Sequence, residues 1–182
     1  MRALPSAALL ALVPSLAVAH PGHDESGSFI SGFAHPLLGA DHLLAMVAVG
    51  LWAALSGGRA LWAYPAAFVV AMLAGGIMGA GGAELPVLEP AILASVVLIG
   101  AAAALALRVS LWAALPALAL FGLAHGYAHG LEGPGGAEYA LGFVIATMGL
   151  HATGIGLARL GTATARAVGG GASMVGVVLA LV

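Results

Sequence analysis

Long apolar runs dominate this chain, and polar positions are confined to short intervals between them. Each of six runs is long enough, or nearly so, to cross a hydrocarbon core of ~30 Å as an α-helix rising ~1.5 Å per residue. The intervals are rich in Gly and Pro and leave no room for a soluble domain. We therefore predict an all-α membrane protein, a bundle of six transmembrane helices over residues 36–55, 61–81, 88–107, 111–130, 139–158 and 167–182.

The first 19 residues are typical of a cleaved secretory signal peptide. Arg2 supplies a positive start, residues 7–13 a short apolar core, and residues 17–19 the Ala-x-Ala cleavage pattern. An uncleaved first membrane helix is the alternative, but Pro5 and Pro14 leave fewer than the ~20 apolar residues that a span requires. Cleavage would leave residues 20–182 as a single six-helix domain whose N-terminus lies on the exported side.

Charges alternate in sign from one interval to the next. The arginines beyond the signal all lie in the first, third and fifth intervals, whereas the glutamates of the later chain lie in or beside the second and fourth. Cytoplasmic loops carry the excess of Lys and Arg, so the odd intervals are predicted inside and both termini outside. This orientation agrees with the exported N-terminus and predicts a multi-pass membrane protein.

Composition narrows the function classes. The chain is 62% hydrophobic and 7% charged, whereas soluble domains carry about 25% charged residues. This comparison excludes a soluble protein and favours a membrane protein. A formal net charge of -2 without any basic patch gives no support for nucleic-acid binding. The absence of cysteine removes thiolate metal sites and cysteine nucleophiles together.

The first run opens with the sequence HPLLGADH, which places three ionisable side chains at the head of an apolar helix. We predict that the helix begins at Pro36, because proline suits a first helical turn and disfavours helical dihedrals for His35. His42 then lies two turns beyond His35 and ~10 Å deeper, with Asp41 about 100° away around the helix. A charge at that depth costs ~2.5–3.5 kcal/mol, so Asp41 needs a partner. It is either a metal ligand or half of an Asp–His pair that ties helices together.

The fourth run ends with AHGYAHGLEG, in which two histidines are four residues apart. Side chains at i and i+4 share one helix face, so His125 and His129 are spaced to bind one ion, as in helical zinc sites. Glu132 extends this face toward the outer surface. Two unrelated histidines are the alternative, but the scarcity of polar side chains in this chain favours ligands.

The predicted topology places two further side chains in the same half of the membrane. Glu89 precedes Pro90 at the outer start of the third run and is either a ligand or, like Glu84, an interfacial charge. His151 lies in the fifth run and is either a ligand or a packed histidine bonded to a backbone carbonyl. We expect four ligands near the outer face, three a turn or two further in, and one below them: His35, Glu89, His129 and Glu132, then Asp41, His42 and His125, then His151.

The residues after the predicted cleavage site add His20 and His23. With the α-amine, these two imidazoles would form an external capture site for an ion. Pro21 has no amide proton, which impairs chelation by backbone amides. A solvated tail is the alternative.

Imidazole and carboxylate, without thiolate, are the ligands that this chain offers. They suit divalent nickel, cobalt, zinc or manganese. The sequence contains neither the G-x-x-x-x-G-K-[ST] nucleotide-binding motif nor a nucleophile motif. We therefore predict neither enzymatic activity nor an organic cofactor.

The stretch HPLLGADHLLAMVAVG, which follows a signal peptide and HPGH, resembles the HupE/UreJ family of hydrogenase and urease accessory membrane proteins. The resemblance covers essentially the whole chain. Family members are regarded as secondary nickel or cobalt permeases that supply metal for maturation of hydrogenase or urease. The resemblance therefore implies that His35, Asp41 and His42 carry metal passage, with His129 and Glu132 as their partners on the fourth helix.

The ligand pattern and the resemblance together predict a secondary transporter that imports Ni²⁺ across a bacterial inner membrane, with Co²⁺ or Zn²⁺ as alternative cargo. The resemblance implies that the metal serves hydrogenase or urease maturation. The expected partners of the transporter are the ion, membrane lipid and cytoplasmic nickel chaperones. Two alternatives would use the same ligands. One is a membrane-embedded metalloenzyme that activates water, and the other is a metal-binding accessory or assembly protein that does not move the ion.

Overall fold

The structure is a computed structural model that describes residues 28–82, 85–133 and 135–181. All regular structure within these ranges is helical, which confirms the predicted all-α fold. The seven helices are α1 (Phe29–Leu38), α2 (Ala40–Ser56), α3 (Ala60–Gly79), α4 (Leu88–Ala104), α5 (Leu111–Glu132), α6 (Ala137–Arg159) and α7 (Thr162–Leu179). The predicted signal peptide, both histidines of the predicted capture site and Glu84 lie outside the described residues.

Several of these helices have the length and composition of membrane spans. Helices α3, α5 and α6 are long and apolar enough to cross a membrane, and α1 and α2 add a fourth crossing if the bent pair forms one span. Helix α4 is apolar but has 17 residues. The predicted boundaries of the second to fifth runs agree with α3 to α6 within three residues. Helix α7 begins at Thr162 rather than at 167, directly after the left-handed backbone of Gly161 (φ 140°).

The first run forms two helices, so the prediction that a helix begins at Pro36 is wrong. Helix α1 starts earlier, capped by the side chain of Ser28, and contains Pro36 in its last turn. Packing of α1 against α6 overrides the bias that a proline imposes on the residue before it. Gly39 then adopts extended backbone, and the chain bends by 86° before α2. This bend removes the two-turn relation that we predicted between His35 and His42.

Close backbone contacts at glycine join the helices in pairs. A Cβ atom on Gly126 of α5 would overlap the carbonyl of Met72 on α3, and one on Gly50 of α2 would overlap the carbonyl of His151 on α6. Small residues allow this approach where no hydrophobic effect drives helices together. Among the described residues, the tight contacts of helical glycines fall within four pairs: α1 with α6, α2 with α6, α3 with α5, and α4 with α7.

The two ends of the bundle carry opposite charges. We call one the acidic end, because it holds the carboxylates at the starts of α2, α4 and α6 and the end of α5: Asp41, Glu89, Glu138 and Glu132. We call the other the arginine end, with Arg59, Arg108, Arg159 and Arg166. At the arginine end, Trp52 Nε1 donates to the carbonyl of Leu107 at 2.8 Å. The alternation of charge along the sequence is thus a separation of charge along the bundle.

Candidate metal centre

Two groups of ligand side chains lie together at the acidic end. The outer group is His35, His129 and Glu132, and the inner group is His42, His125 and His129. Within each group the ligand atoms all lie within 4.8 Å of one another. Ligands around one tetrahedral ion, at metal–nitrogen distances of ~2.0–2.1 Å, are ~3.4 Å apart. Small side-chain rotations would therefore bring the ligand atoms of either group to the spacing that one ion requires.

His129 belongs to both groups. Its ring centroid lies 4.8 Å from that of His35 and 4.3 Å from that of His42. The residue is 6% exposed, and neither of its ring nitrogens has a hydrogen-bond partner. Buried polar atoms in proteins are nearly always paired, so this imidazole is a candidate ligand for an ion.

His42 is oriented by the carboxylate that precedes it. Its Nδ1 lies 2.8 Å from Oδ1 of Asp41. The carboxylate accepts, so Nδ1–H donates, and the unpartnered Nε2 keeps its lone pair. A histidine that donates to a carboxylate through one nitrogen and binds metal through the other is a common arrangement. Because the two residues are neighbours in α2, their pairing cannot tie separate helices together.

The bend before α2 also sets the position of this pair in its helix. Asp41 lies in the first turn of α2 with its side chain 29% exposed, because α2 begins at Ala40 and not at Pro36. Its depth of a turn or two below the outer face stays a prediction. A Cβ atom on Gly39 would come within 2.9 Å of His42 Nδ1 and 3.0 Å of Asp41 Oδ1. Glycine at the bend therefore makes room for the pair.

His125 is oriented by a residue that our sequence analysis missed. Ser95 Oγ donates to the carbonyl of Ile92 at 2.6 Å and lies 2.7 Å from His125 Nε2. A hydroxyl has one proton, so this oxygen accepts from Nε2–H, and Nδ1 of His125 keeps its lone pair without a partner. Both residues are 0% exposed. The available signal was a hydroxyl within the third run, in which Glu89 is the one other polar side chain.

A cleft at the acidic end includes one member of each group, His42 and Glu132. Its volume is about 730 Å³, and Asp41, His42, Glu89 and Glu132 line it beside apolar residues of α4 and α5. The fold thus brings Glu89 to the same cleft as the predicted ligands. A cleft lined by charges of one sign concentrates ions of the other sign, which here means cations. His35 stands beside Glu132, with Nε2 and Oε2 3.8 Å apart.

His151 lies outside both groups. Its Nδ1 is 2.8 Å from the carbonyl oxygen of Met46, to which Nδ1–H donates. This bond is the one expected of a packed histidine, but Nε2 is buried without a partner. Of the eight side chains that we predicted as ligands, His151 is the one that neither ligand group nor the cleft includes.

Ser95→Ala should weaken Ni²⁺ binding by the purified protein about tenfold, because the His125 ring loses the acceptor that fixes its orientation and tautomer. Isothermal titration calorimetry measures this change. Ser173→Ala is the matched control, since the Ser173 hydroxyl donates to the carbonyl of Val97, between α7 and α4. Equal affinities for the two variants would contradict an orienting role for Ser95.

Comparison with known proteins identifies the family. The sequence model of the family described as "HupE / UreJ protein" matches residues 8–181. Protein HupE of Rhizobium leguminosarum bv. viciae is 42% identical over 180 residues, which cover 94% of this chain and 93% of that protein. No solved structure matches the chain. Since the match extends over nearly the whole sequence, the chain belongs to the HupE/UreJ family.

Proposed function

We propose that this protein is a secondary transporter that imports a divalent metal ion, with Ni²⁺ as the leading cargo and Co²⁺ or Zn²⁺ as alternatives. The observation that carries the proposal is the sharing of His129 by two ligand groups behind an acidic cleft. A protein that only stores an ion needs one complete set of ligands. Two sets joined by one imidazole offer successive positions along a path.

The path begins in the cleft. The carboxylates of Asp41, Glu89 and Glu132 attract a hydrated cation, which exchanges water for ligands of the outer group. The ion then moves inward by exchanging its other ligands while His129 stays bound, and reaches the lone pairs that His42 and His125 direct into the inner group. Binding at each position has to be moderate, because the ion must also leave.

The membrane topology of the proposal follows from the charges at the two ends. Six crossings, which include α4 and α7, place the acidic end outside the inner membrane and the arginine end in the cytoplasm. A signal peptide over residues 1–19 is consistent with the exported N-terminus. A divalent cation that enters a negative-inside cell gains ~2.3 kcal/mol per charge per 100 mV. This driving force suffices for accumulation without nucleotide hydrolysis.

The family suggests the destination of the ion. The HupE/UreJ resemblance implies that the imported metal serves maturation of hydrogenase or urease, with cytoplasmic nickel chaperones as the receiving partners. We propose no enzymatic role, because the sequence contains no nucleophile motif and transport requires none. The nitrogens of the inner group and the carboxylates of the cleft account for capture and passage together.

The proposal predicts that cells without their own nickel importer, when they express this chain, accumulate radiolabelled Ni²⁺ well above an empty-vector control. The purified chain in proteoliposomes should give the same result under an inside-negative potential. Competition with Co²⁺ and Zn²⁺ ranks the cargo ions. A protein that binds Ni²⁺ in detergent but admits none into vesicles would be an accessory protein or metalloenzyme, and the transport proposal would be wrong.

A further inference from the structure

His151 is a buried imidazole on α6 that the path described so far does not use. It is 2% exposed, and its Nδ1–H donates to the carbonyl of Met46. The remaining nitrogen, Nε2, carries a lone pair and has no hydrogen-bond partner. Leaving such an atom unpaired away from water is unfavourable. Its orientation therefore calls for an explanation beyond the bond to α2.

This imidazole lies next to the inner group, on the side toward the arginine end. Met46, to which it is bonded, is one helical turn beyond His42 along α2. The ring of Phe68 contacts both imidazoles, with centroids 5.4 Å from His125 and 5.6 Å from His151. Phe68 thus adjoins both His151 and the inner group.

Further polar side chains lie on both sides of His151. Toward the acidic end, Thr147 is one turn away on the same face of α6, is fully buried and donates its hydroxyl proton to the sulfur of Met72 at 3.9 Å. Toward the arginine end, Tyr64 lies one turn from Phe68 on α3, and Ser56 ends α2. The side-chain oxygens of Tyr64 and Ser56 are buried without partners. Hydroxyl and thioether groups are weak ligands for a divalent ion, which suits passage rather than retention.

We propose that His151 is a third binding position for the transported divalent ion, beyond the inner group. Its Nε2 receives the ion from the inner group and releases it toward Tyr64 and Ser56. This inference rests on the proposed transport function and extends it to the inner half of the bundle. The competing role is purely structural, with the imidazole serving only to bond α6 to α2 through Met46. The two roles use different ring nitrogens, so they can be tested separately.

Two substitutions separate the ring nitrogens. His151→Asn keeps an amide N–H near the position of Nδ1, and hence the bond to Met46, but has no group at the position of Nε2. His151→Gln places its amide near Nε2 and loses the bond to Met46. In proteoliposomes reconstituted with the full-length protein, we expect His151→Asn to lower Ni²⁺ uptake at least about tenfold. His151→Gln should retain more uptake than His151→Asn while melting at a lower temperature.

Binding measurements on the same preparations locate the defect. Calorimetric Ni²⁺ affinity of His151→Asn should stay within about twofold of the wild type, because the outer and inner groups are intact. If His151→Asn took up Ni²⁺ at the wild-type rate and only His151→Gln lost uptake, His151 would not be a binding position for the ion. Its role would then be purely structural, through the bond to Met46. If the wild-type protein itself admitted no Ni²⁺ into vesicles, the proposed transport function would be wrong, and with it the binding position that depends on it.

Discussion

His129→Ala is expected to abolish Ni²⁺ uptake and to weaken Ni²⁺ binding by the purified protein about 100-fold or more. Loss of an orienting partner alone costs about 10- to 100-fold in metal affinity, and this substitution removes a ligand itself. It also removes that ligand from both groups at once, since His129 is common to them. Calorimetry in detergent and radiolabelled uptake in vesicles measure the two effects.

Single-group variants and a cavity variant serve as controls for His129. His35→Ala removes a ligand from the outer group only, so its loss of binding should be smaller. Leu118→Ala opens a cavity at a fully buried position of α5, the helix that carries His129, but outside both ligand groups. It should lower stability by about 2–5 kcal/mol while leaving Ni²⁺ affinity unchanged. If His129→Ala bound Ni²⁺ as tightly as the wild type, neither group would be a metal site.

Asp41→Ala should reduce uptake to the empty-vector level, and Asp41→Asn should fall between this variant and the wild type. The alanine removes both the acceptor that orients His42 and a negative charge that offsets the ion. The asparagine removes the charge but retains an oxygen that can accept from Nδ1–H. Comparing uptake and Ni²⁺ affinity across the pair therefore separates the hydrogen bond from the charge.

The matched control for Asp41 is Glu138→Gln. Glu138 is also an acidic residue in the first turn of a helix at the acidic end, but it belongs to neither ligand group nor to the cleft. Its neutralisation should leave uptake near the wild-type value. Equal losses for Asp41→Ala and Glu138→Gln would show that the total charge of the acidic end matters rather than the orientation of His42.

The helices were largely predictable because hydrocarbon thickness dictates their length. The predicted runs reproduce α3 to α6 closely for this reason. The prediction for the first run was wrong because proline prefers the first turn of a helix, whereas Pro36 lies in the last turn of α1. The placement of α1 follows a tertiary contact instead, in which Gly32 of α1 approaches the backbone of Tyr139 on α6. No local pattern in the sequence contains that contact.

The composition of the candidate site was predictable, but its division into groups was not. Scarcity of polar side chains in an apolar chain was enough to select the histidines and carboxylates. Whether a given imidazole belongs to one group or two depends on the register between helices, which backbone contacts at glycine determine. The sequence therefore predicted His129 as a ligand but not as the shared one, and it gave no weight to Ser95.

The pairing of helices through glycine has a mechanical consequence. His42 stands on α2, which is joined closely to α6, whereas His125 and His129 stand on α5, which is joined closely to α3. No helical glycine of the described ranges makes a tight contact between these two pairs. An ion bound among the three imidazoles would thus connect two helix pairs, and a small displacement of one pair relative to the other would change the distances between its ligands.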